Sequence, residues 1–263
     1  MIGFLIKKTF FDLWDNLFRA ALINLGFIAS LAVPVFLPGL FQALPVLSMV
    51  TLFAGILWCF VYLSAAALSL KAVSDYGSFG FGDFFANLKT AWPAGIALGI
   101  VVFIIWIMAA VVISFYLSMN SMIGLLLAAV IFWTMAAACL SLQFFFAVRA
   151  RLDSKLTKVL KKCFIIFFDN PGFCVFSLLH NLVILALSAF LAFLFPGPAG
   201  ILLYLDEALR LRLLKYDWIE ANPPENSAGR PKRRKIPWEV LLIDERERTG
   251  TRSLKSFIFP WKD

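Results

Sequence analysis

The sequence predicts an all-α polytopic membrane protein, a transmembrane helical bundle of five to six spans arranged as three hairpin-like repeats. Of the 263 residues, 62% are hydrophobic and 15% are charged, whereas soluble domains are about 45–50% apolar and about 25% charged. A membrane-spanning helix needs about 20 consecutive apolar residues. Five stretches without Asp, Glu, Lys or Arg reach that length: residues 20–40, 44–70, 94–117, 122–148 and 173–195.

The distribution of basic residues predicts the orientation of the bundle. Lys and Arg precede the first span and lie in alternate connections, whereas residues 41–43 and 118–121 carry no charge. Basic residues are retained on the cytoplasmic side of a membrane. We therefore expect a multi-pass protein of a bacterial inner membrane, with the N-terminus and the C-terminal tail both in the cytoplasm.

A weak sixth segment, residues 201–216, follows the Pro- and Gly-rich break at residues 195–200. The chain from Asp206 onward holds 13 of the 24 basic residues, and five crossings would place them outside. Two alternatives keep them inside. Either neighbouring helices shield this segment as it crosses, with Asp206 and Arg210 paired one turn apart, or residues 173–204 form a re-entrant hairpin.

A basic amphipathic helix is predicted before each hairpin. Residues 7–16 and 161–170 both begin with Lys-Lys and end with Asp-Asn at the same spacing, and residues 83–89 are a looser copy. In the first copy an apolar stripe lies opposite Lys8, Asp12 and Asp15. Such helices lie in the headgroup plane, and Asp15 and Asp169 are expected to end them.

The transmembrane domain is predicted over residues 1–220, followed by a basic flexible linker over residues 221–236 and a cytoplasmic tail over residues 237–263. The tail is expected to contain a short helix and an aromatic terminus, which dock either on a partner protein or on the bundle itself. Residues for contact with anionic lipid headgroups or a partner are Lys232, Arg233, Arg234, Lys235, Trp238, Phe257, Phe259 and Trp261. No binding of nucleic acid is expected.

Two groups of polar residues are candidate sites. The first lies within the spans and comprises Asn24, Gln143, His180 and Asn181. These residues either contact a substrate or proton, or form hydrogen bonds between helices. The second lies at the membrane boundary and comprises Asp206, Glu207, Arg210 and Arg212, which either bind a polar solute or form the solvated start of an interfacial helix.

Catalysis finds little support in the sequence. The chain has one histidine and none of the common hydrolase, metalloprotease or nucleotide-binding motifs. We therefore predict a non-enzymatic protein without a cofactor. A membrane enzyme would require Asp15, Asp83 and Asp169 to meet in one pocket.

Several of these features together resemble the YesL-like DUF624 family of bacterial polytopic membrane proteins. They are the basic aromatic helix before the spans, the sequence Asp169-Asn170-Pro171-Gly172 before the fifth span, and the Phe195-Pro196-Gly197 break before a last amphipathic helix. The resemblance covers about residues 1–216. It implies an association with carbohydrate uptake systems and assigns no role to any residue.

The leading functional hypothesis is an accessory or assembly subunit of a membrane complex, linked to solute uptake. The alternative is a small-solute transporter or channel, which requires the intramembrane polar residues to converge on one cavity.

Overall fold

A computed structural model describes residues 1–222, 236–250 and 252 of the chain, and all regular secondary structure in these ranges is helical. A 3₁₀ turn, Leu37–Phe41, extends the second helix, and a π-helical turn, Met108–Ile113, joins the fourth to the fifth. The helices are α1 (Ile2–Asp15), α2 (Leu17–Phe36), α3 (Pro45–Ser74), α4 (Phe81–Ile107), α5 (Ser114–Ser118), α6 (Met122–Leu142), α7 (Phe145–Arg151), α8 (Leu156–Asp169), α9 (Pro171–Phe190), α10 (Gly197–Ala221), α11 (Trp238–Leu241) and α12 (Ile243–Thr249).

Five helical segments in the described chain are long and apolar enough to cross a membrane. They are Leu17–Phe41, Pro45–Ser74, Phe81–Ser118, Met122–Arg151 and Pro171–Phe190. Each contains one of the five predicted spans or most of it. The protein is therefore an integral, multi-pass, all-helical membrane protein, as predicted. The three-repeat arrangement stays a prediction.

The amphipathic elements differ from the prediction. Residues 83–89 are not a separate helix, because α4 begins at Phe81 and is capped by Asp83, whose side chain accepts a hydrogen bond from the Gly80 backbone N–H (2.8 Å). α1 and α8 end at Asp15 and Asp169, as predicted. The tail helix is two short helices, α11 and α12, separated at Leu242.

α1 also lies in a different environment from the one predicted. Lys8 and Asp12 were expected on an outer face in contact with headgroups, yet they are 0% and 8% exposed. The reason is that α1 packs along α10. Lys8 and Asp12 on its polar side therefore face the protein interior, whereas Asp15 at its end is exposed.

α10 is the central helix of the fold. It contacts α1, α2, α3, α7 and α9, and Leu203, Ala208 and Leu211 on it are 0% exposed. It continues to Ala221, beyond the predicted end of the sixth segment. Two of its charged residues, Asp206 and Glu207, are thus shielded from lipid by the neighbouring helices.

α9 and α10 form an antiparallel hairpin that reaches only part of the way along the other helices. Asp206 is placed at the end of α3 by the neighbouring bond from Arg210 to the Ser74 carbonyl (2.5 Å). Along α10, Gly197 lies nine residues, about 14 Å, from Asp206. Along α3, Pro45 lies 29 residues, about 44 Å, from Ser74. The turn of the hairpin lies about a third of the way along α3. This geometry favours the re-entrant alternative over a sixth crossing.

The N-terminal helix and the tail lie on the same side of the bundle. The Lys7 ammonium donates a hydrogen bond to the Gly250 carbonyl (3.3 Å), and the Arg252 guanidinium forms two bonds to the Asp15 carboxylate (2.9 and 3.0 Å). Their common side agrees with the prediction. That this side is cytoplasmic stays a prediction.

Cysteine labelling tests the re-entrant hairpin. With the native cysteines replaced, single cysteines at Ser121, Phe193 and Asp244 place an exposed thiol on the α5–α6 connection, the hairpin tip and α12. We expect a membrane-impermeant thiol reagent to reach Ser121 from one side only and Asp244 from the other side only. Phe193 should not react from the Ser121 side, and labelling there would show that the hairpin crosses.

A buried ionic cluster as the candidate functional site

The densest group of polar residues in the described chain lies where α10 passes the ends of α3 and α7. Asp206 and Glu207 are 2% and 0% exposed. The prediction that they form the solvated start of an interfacial helix is therefore wrong, because α1, α3 and α7 enclose this part of α10. Burial of a charge requires compensating partners, and both residues have them.

Glu207 is bonded to α1. The Lys8 ammonium lies 3.2 Å from Glu207 Oε1 and also contacts the Asp12 carboxylate and the Ser74 carbonyl. The Thr9 hydroxyl donates to Glu207 Oε2 (2.5 Å). These bonds satisfy the carboxylate of Glu207 from two successive residues of α1.

The same surroundings shift the protonation of this pair. Burial raises the pKa of Glu207 well above its usual value; Lys8 opposes that shift, and Asp12 adds to it. Burial lowers the pKa of Lys8, but the attraction of Glu207 and Asp12 outweighs burial and the pKa is raised. Glu207 therefore retains its proton to a higher pH than an exposed glutamate.

Asp206 is bonded to α7. Arg151 donates from Nε (2.9 Å) and Nη2 (2.5 Å) to the two oxygens of Asp206, the bidentate arrangement typical of strong arginine–carboxylate pairs. Burial raises the pKa of Asp206, and Arg151 opposes this shift. Arg151 also reaches Asp75 (2.9 Å) and the Ser74 hydroxyl (2.8 Å) at the end of α3.

Arg210 joins the cluster to the tail. Its guanidinium donates to Asp75 (2.8 Å) and to Glu245 of α12 (2.7 Å). The predicted pair between Arg210 and Asp206, one turn earlier, does not form, because Arg151 occupies the Asp206 carboxylate. α12 is thus attached to the bundle through a charged residue of α10.

Tyr76 lies at the centre of these contacts. Its hydroxyl donates to Glu245 Oε2 (2.6 Å), and its ring faces the Lys8 ammonium at 4.2 Å and the Arg210 guanidinium at 5.2 Å. Burial and the bond to Glu245 raise the pKa of Tyr76 to about 12. The Arg248 guanidinium also faces the ring, at 5.5 Å, so the neutral ring lies close to three cations.

Arg212, predicted as part of the same group, lies elsewhere. Its guanidinium stacks over Phe173 (3.9 Å), donates to Asn170 Oδ1 (3.1 Å) and faces the ring of Trp238 at 5.9 Å. Burial lowers its pKa. With Leu242 at 0% exposure, these contacts show that residues 238–249 of the tail dock on the protein's own bundle.

Asn24 fastens the turn of the α9–α10 hairpin. Its amide donates to the carbonyls of Leu194 (3.0 Å) and Pro196 (2.8 Å) and accepts from the Ala199 N–H (2.8 Å). Gly197 adopts φ = 59°, and a Cβ there would collide with the Asn24 amide. The Pro-Gly break is thus shaped by a buried asparagine on a different helix.

The other intramembrane polar residues lie in separate contacts. Gln143 donates to the Cys174 carbonyl (2.9 Å) and so joins α6 to α9. His180 stacks on Tyr204 with a ring-centroid distance of 3.9 Å. His180 Nδ1 and Asn181 Oδ1 have no hydrogen-bond partner within the described ranges. Asn24, Gln143 and the His180–Asn181 pair do not converge on one cavity.

The acidic residues required by a membrane enzyme are also apart. Asp15 pairs with Arg252, Asp83 caps α4, and Asp169 bonds to Lys215 and Tyr216. No group of three or more potential metal ligands forms among residues 1–222 and 236–250. The predicted contact residues Lys232–Lys235, Phe257, Phe259 and Trp261 lie outside the described residues.

Several members of the ionic cluster were not singled out from the sequence as site residues. Lys8 and Asp12 are spaced i,i+4 on a helix, and Asp75 and Arg151 end long apolar segments. In the sequence, each resembles an ordinary charged residue at the membrane boundary, and its role is visible only from its contacts around α10. The ion pairs of the cluster bind α1, α3, α7 and α12 to α10, and the cluster contains a carboxyl group with a raised pKa, that of Glu207.

Replacing Asn24 should destabilise the fold. In Asn24→Leu the Ala199 N–H and two carbonyls lose a partner in the interior, and we expect a loss of about 1–3 kcal/mol in the free energy of unfolding. Denaturant unfolding in detergent micelles measures it. Asn181→Leu is the matched control, because Asn181 is 8% exposed with an unpaired Oδ1; an equal loss in both variants would contradict the role of Asn24.

Comparisons with known protein families, with curated proteins and with solved structures find no match to this chain. The resemblance to DUF624 therefore stays a prediction. The function has to be argued from the arrangement of the residues themselves.

Proposed function

We propose that the protein is a non-enzymatic accessory or assembly subunit of a membrane complex, and that it contacts its partner through the hairpin formed by α4, α5 and α6. The observation that carries the proposal is the low burial of the most apolar parts of this hairpin, beyond the part of α4 that packs on α3. The most apolar windows of Phe81–Ser118 and Met122–Arg151 are each 11% buried within the chain, against 22–28% for the other three candidate spans.

The burial pattern of α6 shows how little of it the protein itself covers. Gly124 and Ala128, one turn apart, are its buried positions in the outer half, whereas Leu125, Val130 and Trp133 are 62%, 56% and 70% exposed. α6 therefore packs along a single narrow seam. The rest of its surface is available to lipid or to another helix.

The neighbouring turn is suited to close helix contact. The π-helical turn Met108–Ile113 exposes Ala109 and Ala110. Small residues let helix backbones approach closely in a membrane, where packing rather than the hydrophobic effect drives association. π-Helical turns are frequent at functional positions. Both features favour a protein partner over lipid alone.

The tail is less suited to this role than the sequence suggested. Trp238, which had been a candidate for anchoring a partner, faces Arg212, and Leu242 beside it is buried against the bundle. Contact of the basic residues Lys232–Lys235 with anionic headgroups remains part of the proposal, as does an inner-membrane location with the tail in the cytoplasm. Through the DUF624 resemblance, the complex would be one for carbohydrate uptake.

The transporter alternative has weaker support. It requires a polar pathway, and the four candidate polar residues are placed in three separate helix contacts. The charged residues Asp206, Glu207 and Arg210 of α10 are bonded to side chains of α7, α1 and α12 and to Asp75, and these bonds hold the helices together.

Site-specific photo-crosslinking in native membranes tests the proposal. A photoreactive amino acid replaces Val111 or Trp133 on the hairpin, and Leu179 on α9 is the matched control, because Val111 and Leu179 are 58% and 57% exposed. We expect a discrete protein adduct, identified by mass spectrometry, from Val111 and Trp133 and none from Leu179. Lipid adducts alone at all three positions would overturn the proposal.

A further inference from the structure

An apolar groove of about 610 Å³ lies between α2, α3 and the first turns of α4. Its volume is within the range of about 300–1,000 Å³ that is typical of small-molecule sites. Residues Leu22, Ile23, Gly26 and Ser30 of α2 form one wall at helical spacing. Trp58 and Tyr62 of α3 form the floor, and aromatic residues of α4 form the opposite wall.

The floor is held in place by a backbone contact. The Tyr62 hydroxyl donates to the Ile23 carbonyl (2.9 Å), and its ring passes directly over Gly26, where any Cβ would collide with it. Tyr62 also packs against Phe84 with a ring-centroid distance of 5.2 Å. The groove is therefore a formed feature of three helices rather than a gap between mobile side chains.

Arg19 is the one charged residue that lines the groove. Its guanidinium donates to Asn16 Oδ1 (2.9 Å), and no acidic side chain of the described chain lies within ion-pair distance of it. A guanidinium has five donors in a planar fork suited to phosphate. Among the described residues, the one side-chain acceptor of this guanidinium is Asn16 Oδ1, so most of its donors are left for a ligand.

The length of the groove matches one leaflet of a bilayer. Along α2 it runs from Arg19 to Ser30, eleven residues or about 16 Å. Half of a hydrocarbon core of about 30 Å is about 15 Å. Arg19 lies near the start of α2, on the side of α1 and the tail, so its charge is at headgroup level when the groove is filled by a chain from that leaflet.

From these observations we infer that the groove is a binding site for an anionic phospholipid of that leaflet, with its phosphate on Arg19 and one acyl chain beside Gly26 and Ser30. Basic pockets between transmembrane helices are known to select anionic headgroups. A purely apolar ligand would not use Arg19, and a free phosphate would not use the apolar walls. The inference is independent of the proposed protein partner.

Native mass spectrometry of the full chain in detergent tests the site. Wild type, Arg19→Gln and the matched control Lys89→Gln, which removes an exposed cation on α4 outside the groove, are titrated with phosphatidylglycerol and phosphatidylcholine of equal chain length. We expect wild type and Lys89→Gln to retain phosphatidylglycerol about fivefold better than phosphatidylcholine. Arg19→Gln should lose this preference.

A second arm tests the acyl chain. Phosphatidylglycerol with short chains should be retained less well than the long-chain lipid by wild type, and Ser30→Phe, which fills the deep end of the groove, should remove that difference. Arg19→Gln is the gentler variant and keeps the test decisive if Ser30→Phe does not fold. Equal retention of the two headgroups by wild type, a preference that survives Arg19→Gln, or no effect of chain length would overturn the inference.

Discussion

The carboxylates of Asp206 and Glu207 are buried on the helix that contacts α1, α2, α3, α7 and α9, and their compensation constrains the fold around them. Each is matched by a cation from a different helix, Arg151 from α7 and Lys8 from α1. A buried ion pair adds little net stability compared with apolar packing, but removal of one partner typically costs about 3–5 kcal/mol. The cluster therefore determines which helices pack against α10, and it contributes less to the net stability of that packing.

This constraint explains how a protein with sparsely packed spans is well packed at the end where α1 and α12 lie. Lys8 orients α1, Arg151 orients the end of the fourth span, and Arg210 connects Asp75 to Glu245 of α12. The outer ends of the spans have no comparable cluster among the described residues. They are packed by apolar contacts along narrow seams, which leaves the outer part of the α4–α6 hairpin open to other molecules.

The sequence was sufficient to predict what hydropathy and charge determine: the helical class, the five apolar segments and the common side of α1 and the described part of the tail. It was misleading where a polar residue has a partner far along the chain. Lys8 and Asp12 looked like the outer face of an interfacial helix, and Asp206 looked solvated, because their amphipathic pattern does not distinguish water from a polar interior. Glu207 and Lys8 are 199 positions apart, and no local pattern predicts their contact.

Hydrogen–deuterium exchange in detergent tests most directly whether the charges on α10 attach the surrounding helices. A helix as short as α12 is not stable alone in water, so its protection depends on docking. We predict faster exchange over Ile243–Thr249 in Arg210→Leu and over Ile2–Asp15 in Glu207→Leu, with α6 unchanged in both variants. Wild-type exchange rates in α1 and α12 would show that apolar packing alone holds these helices, and would contradict the account.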